Sequence, residues 1–196
     1  MNRWDERYNS DGYIYGIEPN KFLQSKLLEL KPGKILFPGE GEGRNSVFAA
    51  KLEWETIAFD CSTVAKDKAM KLANRNNVKV EYQIAEYQDF EYQENYFDVI
   101  ALIYTHIGSD YRREFHKKIQ KFLKPSGQII MEMFSKEQIH NNSGGPKSLD
   151  MLYSIEELKD DFTDMDILVL EKLKIDVSEG NWHKGFADVI RLVAKK

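Results

Sequence analysis

The residues best suited to hold a ligand are three glycines spaced two positions apart, Gly39, Gly41 and Gly43. A short apolar run, residues 35–37, precedes them, and a helical pattern begins at Ser46. A strand, a glycine turn and a helix N-terminus let the main chain approach a ligand closely and offer it free N–H groups. The spacing is one residue shorter than the G-x-G-x-x-G pattern of dinucleotide-binding proteins. Loops without ligands also use glycine freely, so a plain structural turn stays open.

An acid at the end of the second apolar run favours a nucleoside as the ligand. Residues 54–60 are typical of a strand, and they end in Asp60, 17 residues after Gly43. A carboxylate at the end of the second strand can accept two hydrogen bonds from a ribose diol. The alternative is that Asp60 caps the following helix, although Ser62 is also available for that role.

Two histidines are candidates for proton transfer or for binding an acceptor. His106 follows the apolar run of residues 96–104 and could accept a proton near neutral pH, orient an acceptor, or have no role. Trp182 and His183, in a polar loop, either line the acceptor side or form a packed loop tip. No histidine and carboxylate spacing indicates a metal site.

Alternating strand and helix patterns position these residues. Strands are predicted at residues 34–38, 55–59, 78–84, 96–104 and 128–134, and helices at residues 44–53, 62–76 and 110–123. The run 96–104 is apolar almost throughout, as expected of a strand buried on both faces in a parallel sheet. Two further strands, 166–177 and 185–194, predict an antiparallel hairpin because only a short polar loop joins them. The sequence therefore predicts a doubly wound α/β sheet.

Composition and charge exclude several classes of protein. The 196 residues carry a net charge of −4 without a long basic run, which argues against a dedicated nucleic-acid binder. The basic residues around Arg112 and His116 are expected to form a solvated helix face. A single cysteine, Cys61, excludes an intrachain disulfide. No apolar stretch approaches the roughly 20 residues of a membrane span.

An aromatic segment precedes the first strand. Trp4 and Tyr8 are four residues apart, so they would share one face of a short helix. Tyr15 follows, and Pro19 is expected in the first turn of a helix that runs to about residue 30. This segment is either an arm packed on the sheet or a lid whose rings close over a bound ligand.

Taken in order, these motifs resemble the class I S-adenosylmethionine-dependent methyltransferases. The glycines match motif I, Asp60 matches the ribose acid, and residues 97–98 open the fourth strand as motif IV does. Residues 123–127 are similar to the family's turn before strand five. The arm, Trp-x-x-x-Tyr followed by Tyr-x-Tyr-Gly-x-Glu-Pro-Asn, is similar to that of small tellurite-resistance-type and thiopurine-type methyltransferases. The resemblance implies a Rossmann-like, seven-stranded sheet of order 3-2-1-4-5-7-6 with the last strand antiparallel.

The resemblance also implies S-adenosylmethionine as the cofactor. The residues that it assigns to the cofactor are Gly39, Glu40, Gly41, Gly43, Asn45, Asp60, Cys61, Ala85, Glu86 and Tyr104. Those that it assigns to the acceptor or a lid are Trp4, Tyr8, Tyr15, Trp182 and His183, and His106 is the candidate catalytic residue. One position departs from the family, which usually has an acid two residues before the first glycine; this chain has Phe37 there. Glu40 either replaces that acid or points to solvent.

The predicted function is methyl transfer to a small-molecule acceptor, because the arm and two modest loops leave little surface for gripping a macromolecule. A protein or RNA methyltransferase acting with a partner stays open, as does a cofactor-binding Rossmann protein without activity or a nicotinamide-dependent oxidoreductase. We expect a cytoplasmic monomer or weak homodimer with no metal, no membrane contact and no nucleic-acid partner. Residues 1–196 are expected to form one methyltransferase domain: an arm and helix (1–30), a cofactor-binding core (34–134), and a helix with a C-terminal β-hairpin (135–196).

Overall fold

The computed structural model describes residues 3–196, in which seven strands alternate with six α-helices. The elements are α1 (Arg3–Tyr8), α2 (Lys21–Glu29), β1 (Lys34–Pro38), α3 (Arg44–Lys51), β2 (Glu55–Asp60), α4 (Thr63–Arg75), β3 (Glu81–Ile84), β4 (Phe97–Ile103), α5 (Ser109–Phe122), β5 (Leu123–Phe134), α6 (Ile155–Asp161), β6 (Asp166–Glu179) and β7 (His183–Lys195). Two short 3-10 helices, Lys136–His140 and Leu149–Met151, lie between β5 and α6.

All seven strands belong to one mixed sheet of order β3-β2-β1-β4-β5-β7-β6. Neighbours among β1 to β5 are parallel, whereas β7 runs antiparallel to both β5 and β6. The predicted fold class and strand order are therefore confirmed. Because β1, β2 and β4 are parallel, their carboxyl ends meet at one edge of the sheet, and the loops after them converge on one crevice.

Helices cover both faces of this sheet. In β1, Ile35 and Phe37 face α2, α3 and α4, whereas Leu36 belongs to the cluster that includes α5 and α6. Successive side chains of a strand point to opposite faces, so a strand covered on both sides must be apolar at every position. Residues 99–103 of β4 are all buried, as the apolar run in that strand predicted.

Several element boundaries differ from the predicted ones. Strand β5 begins at Leu123 because this residue pairs with Phe97, and pairing with β4 resumes at Gln128 after an irregularity. Strand β3 is shorter than predicted and begins at Glu81. Pro19 does not lie in the first turn of α2, since the Asn20 side chain caps that helix by accepting a hydrogen bond from the Leu23 N–H.

The expectation that Arg112 and His116 face solvent is wrong. Both are buried on the side of α5 that packs against α6. His116 Nδ1 lies 2.7 Å from Asp161 Oδ2. Arg112 forms an ion pair with Glu157 at 3.0 Å, and its guanidinium lies over the Tyr153 ring. Polar side chains are buried here because α6 supplies partners for them.

Within residues 3–196, no helix combines the length and apolar character that crossing a bilayer requires. The same part of the chain contains no group of three or more His, Cys, Asp or Glu side chains that could hold a metal ion.

Candidate functional site

The three glycines form a tight loop between β1 and α3, and each has a positive φ angle: 61° at Gly39, 66° at Gly41 and 91° at Gly43. Residues with a Cβ rarely adopt this conformation. A Cβ on Gly39 would overlap the Tyr87 hydroxyl, and one on Gly41 would lie 2.6 Å from the Tyr8 hydroxyl. Glycine at these positions therefore lets the loop, called the glycine cradle below, pack closely against Tyr8, Ala69 and Tyr87.

Asp60, at the end of β2, fixes this loop from the neighbouring strand. Its Oδ2 accepts the Gly41 N–H at 3.0 Å and its Oδ1 accepts the Ser62 N–H at 2.9 Å. Ser62, not Asp60, caps α4 by accepting the Ala65 N–H. Burial raises the pKa of Asp60, while the two N–H groups oppose this shift. The Cys61 side chain also hydrogen-bonds to this carboxylate. Because a carboxylate has about four acceptor positions, Asp60 can still accept a hydrogen bond from a ligand.

An open cleft lies above the loop. Most of the predicted site residues line it: Trp4, Tyr8, Tyr15, Gly39, Glu40, Asn45, Asp60, Cys61, Ala85, Glu86, Tyr104, His106 and His183. Three others do not. Gly41 and Gly43 pack against Tyr8 and Ala69, and Trp182 is an exposed side chain near Arg7. The structure thus brings into one cleft most of the residues predicted to bind the cofactor and most of those predicted to face the acceptor.

Glu40 does not simply point to solvent. Its Oε1 accepts the N–H groups of Asn45 and Ser46 at 3.1 and 2.7 Å, and so caps α3, whose N-cap Gly43 has no side chain. Burial raises the pKa of Glu40 to about 7, although hydrogen bonds from Ser46 oppose this shift. Phe37, where the family usually has an acid, is buried in the core.

Tyr104 closes the cleft at the end of β4 in a strained backbone conformation, with φ at +52°. Its N–H bonds to the Glu132 carbonyl at 2.9 Å, and its hydroxyl donates to Glu132 Oε1 at 2.8 Å. Its ring stacks on Phe134 at 4.5 Å between centroids. A non-glycine residue in the left-handed region costs about 1–3 kcal/mol, and such strain clusters at functional sites.

His183 is held in the wall by a half-buried carboxylate, that of Glu179. Its Nδ1 lies 3.2 Å from Glu179 Oε2, and Arg44 forms an ion pair with the same oxygen at 2.9 Å. Burial of Glu179 opposes ionisation, but His183 and Arg44 lower its pKa to about 2. Burial also lowers the pKa of His183, against the pull of Glu179. The imidazole packs between the rings of Tyr15 and Tyr104, at 4.6 and 4.8 Å.

His106 has a more apolar surrounding. Its ring stacks on Phe134 at 5.9 Å, and its Nδ1 is buried with no hydrogen-bond partner among residues 3–196. Burial lowers the pKa of His106 to about 3, with smaller contributions from the charges of His183 and Arg7. The imidazole is therefore neutral at physiological pH.

Comparison with known families decides what this cleft belongs to. Residues 35–127, from β1 into β5, match the model of a family described as a methyltransferase domain. Residues 35–127 therefore carry a methyltransferase domain. The class I methyltransferases that the sequence resembles use S-adenosylmethionine as the methyl donor.

Two plant proteins illustrate the similarity of sequence. Phosphoethanolamine N-methyltransferase 3 of Arabidopsis thaliana is 28% identical over 130 residues, which are 64% of this chain and 26% of that protein. Phosphoethanolamine N-methyltransferase 1 of Zea mays is 30% identical over 135 residues, which are 67% of this chain and 27% of that protein. The matched segment thus spans about a quarter of the length of these relatives.

Two solved structures illustrate the similarity of fold. A protein from a study of the conversion of a disulfide bond into a thioacetal group during echinomycin biosynthesis has a TM-score of 0.81 at 16% identity, covering 98% of this chain and 90% of that one. TehB from Haemophilus influenzae has a TM-score of 0.74 at 15% identity, covering 98% of this chain and 65% of that one. The predicted likeness to tellurite-resistance-type methyltransferases is therefore confirmed for the fold.

The cleft of the methyltransferase domain fits a sulfonium nucleoside. The glycine loop brings the main chain of Gly39 to the cleft, and Asp60 lines the cleft beside it. Ala85 and Glu86 extend the wall at the end of β3. This donor set matches a nucleoside with a ribose diol and an amino-acid tail.

The arm of the methyltransferase domain is fastened over this cleft by residues that the sequence did not single out. Asp5 accepts the Ser62 hydroxyl at 2.7 Å. Glu42, in the glycine loop, accepts the Ile14 N–H at 2.7 Å and pairs with Lys68 at 2.9 Å. The ring of Trp4 stacks on that of Tyr8, as their four-residue spacing predicted. The arm therefore packs on the domain and also roofs the cleft.

Four lining residues were also missed: Arg44, Phe59, Tyr87 and Ile103. Arg44 directly follows the third glycine, and Phe59 directly precedes Asp60. Their adjacency to predicted site residues could have indicated that they line the cleft. Tyr87 offered none, because it approaches Gly39 only through the turn after β3.

Proposed function

We propose that this protein transfers a methyl group from S-adenosylmethionine to a small-molecule acceptor. The observation that carries the proposal is the glycine cradle joined to Asp60 within a cleft that the arm covers. Within the cleft, Asp60 holds the ribose, Ala85 and Glu86 flank the base, and Glu40 and Asn45 face the amino-acid tail. Cys61 and Tyr104 complete these walls.

The chemistry asks little of the protein beyond positioning. When bound, S-adenosylmethionine supplies a methyl group on a positively charged sulfur, which a lone pair of the acceptor can displace without further activation. The protein has to align that lone pair and exclude water, since orientation alone can supply several kcal/mol of rate enhancement. Trp4, Tyr8 and Tyr15 form the roof that does this on the arm side.

An acceptor that arrives protonated also needs a base, and His183 is better placed for this role than His106. With its Nδ1–H donated to Glu179, His183 keeps a lone pair on Nε2, and Glu179 stabilises the imidazolium that forms. The pKa of about 3 at His106 makes that imidazole a weak base. We propose that His106 orients the acceptor instead, in place of the base predicted there.

The acceptor is small because it has to fit beneath the arm. The net charge of −4 also disfavours a nucleic-acid substrate. By their names, the plant relatives methylate phosphoethanolamine. This amine is therefore the first acceptor to test, followed by a small thiol.

Recombinant protein mixed with S-adenosylmethionine and phosphoethanolamine or a small thiol should release S-adenosylhomocysteine above the rate without acceptor. His183→Gln should lower that rate with the amine at least tenfold and flatten its rise with pH, because proton removal is lost. Its affinity for S-adenosylhomocysteine should be unchanged. His106→Gln serves as the matched control and should lose less.

Two results would overturn these assignments. Tight binding of S-adenosylhomocysteine without turnover of any small acceptor would favour a macromolecular substrate or a protein without activity. A His183→Gln protein that keeps the full rate and pH profile would remove His183 as the base.

Glu40 should make cofactor binding depend on pH. We propose that its carboxylate replaces the acid missing at Phe37 and faces the amino group of the ligand. With a pKa of about 7 in the free protein, Glu40 is mostly protonated at pH 6 and mostly ionised at pH 8. Affinity for S-adenosylhomocysteine, whose amino group stays charged over this range, should rise about tenfold from pH 6 to pH 8.

Calorimetric titration at the two pH values checks this expectation. Glu40→Gln should remove the rise, whereas Glu86→Gln, which changes a more exposed acid of the same cleft, should keep it. A rise of equal size in the Glu40→Gln protein would show that another group titrates.

We further propose that residues 1–196 work as one domain, in the cytoplasm, as a monomer or weak homodimer. The continuous sheet, in which β7 and β6 extend the core strands, supports the first part. Light scattering at rising protein concentration would test the oligomeric state, and a stable dimer at nanomolar concentration would contradict it.

A further inference from the structure

Arg7, on the arm, lies between two indole rings, one of which, that of Trp4, lines the cleft. Its guanidinium carbon lies 5.1 Å from the centre of the Trp4 ring and 4.9 Å from that of Trp182. Its Nη1 donates to the Tyr15 hydroxyl at 3.3 Å. Trp4 belongs to the arm and Trp182 to the turn between β6 and β7, so two separate elements hold the guanidinium plane.

Among residues 3–196, no carboxylate forms an ion pair with Arg7. Three buried or half-buried arginines, Arg44, Arg112 and Arg191, each have a carboxylate within 3.0 Å. Arg7 is half-buried as well, yet its hydrogen-bond and ring partners among residues 3–196 are all uncharged. A guanidinium that has lost part of its hydration favours an oxyanion, which it can bind through two parallel hydrogen bonds.

The acids of the acceptor wall do not pair with Arg7. Glu179, which holds His183 in the acceptor wall, is already paired with Arg44 and His183. The positive charge of Arg7 reaches that wall, since it contributes, after burial, to the low pKa of both His106 and His183. The acceptor end of the cleft thus carries one positive charge without a counter-ion from the described residues.

We propose that Arg7 anchors an oxyanion of a ligand bound in the cleft, with Trp4 and Trp182 fixing the guanidinium plane and Tyr15 its orientation. Two sources of this group fit the site: the carboxylate of the cofactor's amino-acid tail, or an acidic group of the acceptor. The proposal rests on the proposed function only for the identity of these ligands. The anion site itself rests on the unpaired half-buried charge.

The first part of the test asks whether the cofactor supplies the anion. It compares two nucleosides that differ by one carboxylate, S-adenosylhomocysteine and its decarboxylated form, S-adenosyl-3-thiopropylamine. Both are titrated calorimetrically into wild-type protein, Arg7→Met, and the matched control Arg113→Met, which removes an exposed arginine from α5. If the tail carboxylate binds Arg7, Arg7→Met should lower the affinity for S-adenosylhomocysteine at least tenfold and leave that for the amine unchanged.

The second part of the test asks whether the acceptor supplies the anion. Protein saturated with S-adenosylhomocysteine is titrated with 3-mercaptopropionate. If the acceptor supplies the anion, Arg7→Met should weaken this binding at least tenfold and leave both nucleoside affinities unchanged. Arg113→Met should behave as wild type in every titration.

Other results would overturn the proposal. If Arg7→Met lowered the affinities for both nucleosides equally, and Trp182→Ala lowered them by the same factor, Arg7 would only hold the arm against the turn between β6 and β7. Unchanged affinities for all three probes would show that no anion binds there. Failure of wild-type protein to bind either nucleoside would instead contradict the proposed function, and 3-mercaptopropionate alone would then decide the anion site.

Discussion

Replacing Asp60 with asparagine is expected to weaken binding of S-adenosylhomocysteine at least tenfold, a loss of about 1.4 kcal/mol. The carboxylate accepts backbone N–H groups from Gly41 and Ser62 and keeps lone pairs for the ribose hydroxyls. An amide has a single acceptor oxygen, and its NH2 group would face one of these N–H donors. The ribose would therefore lose an acceptor, and the glycine loop would lose its link to β2.

Asp98→Asn is the matched control for this prediction. Asp98 lies near the start of β4, at the amino ends of the parallel strands, whereas the cleft lies at their carboxyl ends. It also accepts a backbone N–H, that of Lys34, at 2.8 Å. Calorimetry should give wild-type affinity for Asp98→Asn, although its free energy of unfolding falls. If Asp60→Asn lowered only the free energy of unfolding and kept full affinity, Asp60 would be a structural residue and not a ribose ligand.

Gly41→Ala is expected to weaken S-adenosylhomocysteine binding at least tenfold as well, but through the arm. Its φ of +66° already disfavours a side chain, and the new Cβ would lie 2.6 Å from the Tyr8 hydroxyl. Tyr8 packs against Trp4 and Tyr15 in the roof, so moving Tyr8 displaces the roof as a unit. Binding should fall because the cleft loses its cover and the loop shifts.

Gly12→Ala separates the backbone strain from the clash. Gly12 has a similar φ, +78°, but a Cβ there would meet nothing within 4 Å. Both variants should lose about 1 kcal/mol of stability from the unfavourable φ, whereas only Gly41→Ala should lose affinity. Thermal unfolding and titration of both proteins measure the two quantities. Similar affinities of the two variants would mean that the contact between Gly41 and Tyr8 does not control the cleft.

The fold was predictable because its signals are local. The alternation of short apolar runs with helical patterns gave the parallel strands, and the run in β4 marked a strand covered on both faces. Ser154 and Glu157 form a capping box at the start of α6, and their Ser-x-x-Glu spacing is the sequence signature of that motif. The strand order itself came from the resemblance to a family, since the spacing of elements alone does not fix it.

Part of the site was predictable for the same reason. The glycines and Asp60 lie at the ends of neighbouring strands, where parallel topology brings them together. Glu86 and Tyr104, which the resemblance to a family assigned to the cofactor, line the same cleft.

The remaining features depend on contacts between distant parts of the chain. Arg44 and Glu179 are 135 residues apart, and nothing near either residue indicates the other. His116 was expected in solvent because its neighbours on α5 are basic, but Asp161, 45 residues away, gives it a buried partner. The capping of α3 by Glu40 could not be predicted from the sequence. It depends on the path of the glycine loop in three dimensions, which the positive φ angles of the glycines determine.

The most direct test of the central claim is a crystal structure of the protein grown with S-adenosylhomocysteine. The account predicts nucleoside density in the cleft, with the ribose hydroxyls on Asp60, the amino-acid tail beside Gly39 and Glu40, and the arm closed above. Density at another surface, or a cleft that stays empty at saturating ligand, would contradict the assignment of this site.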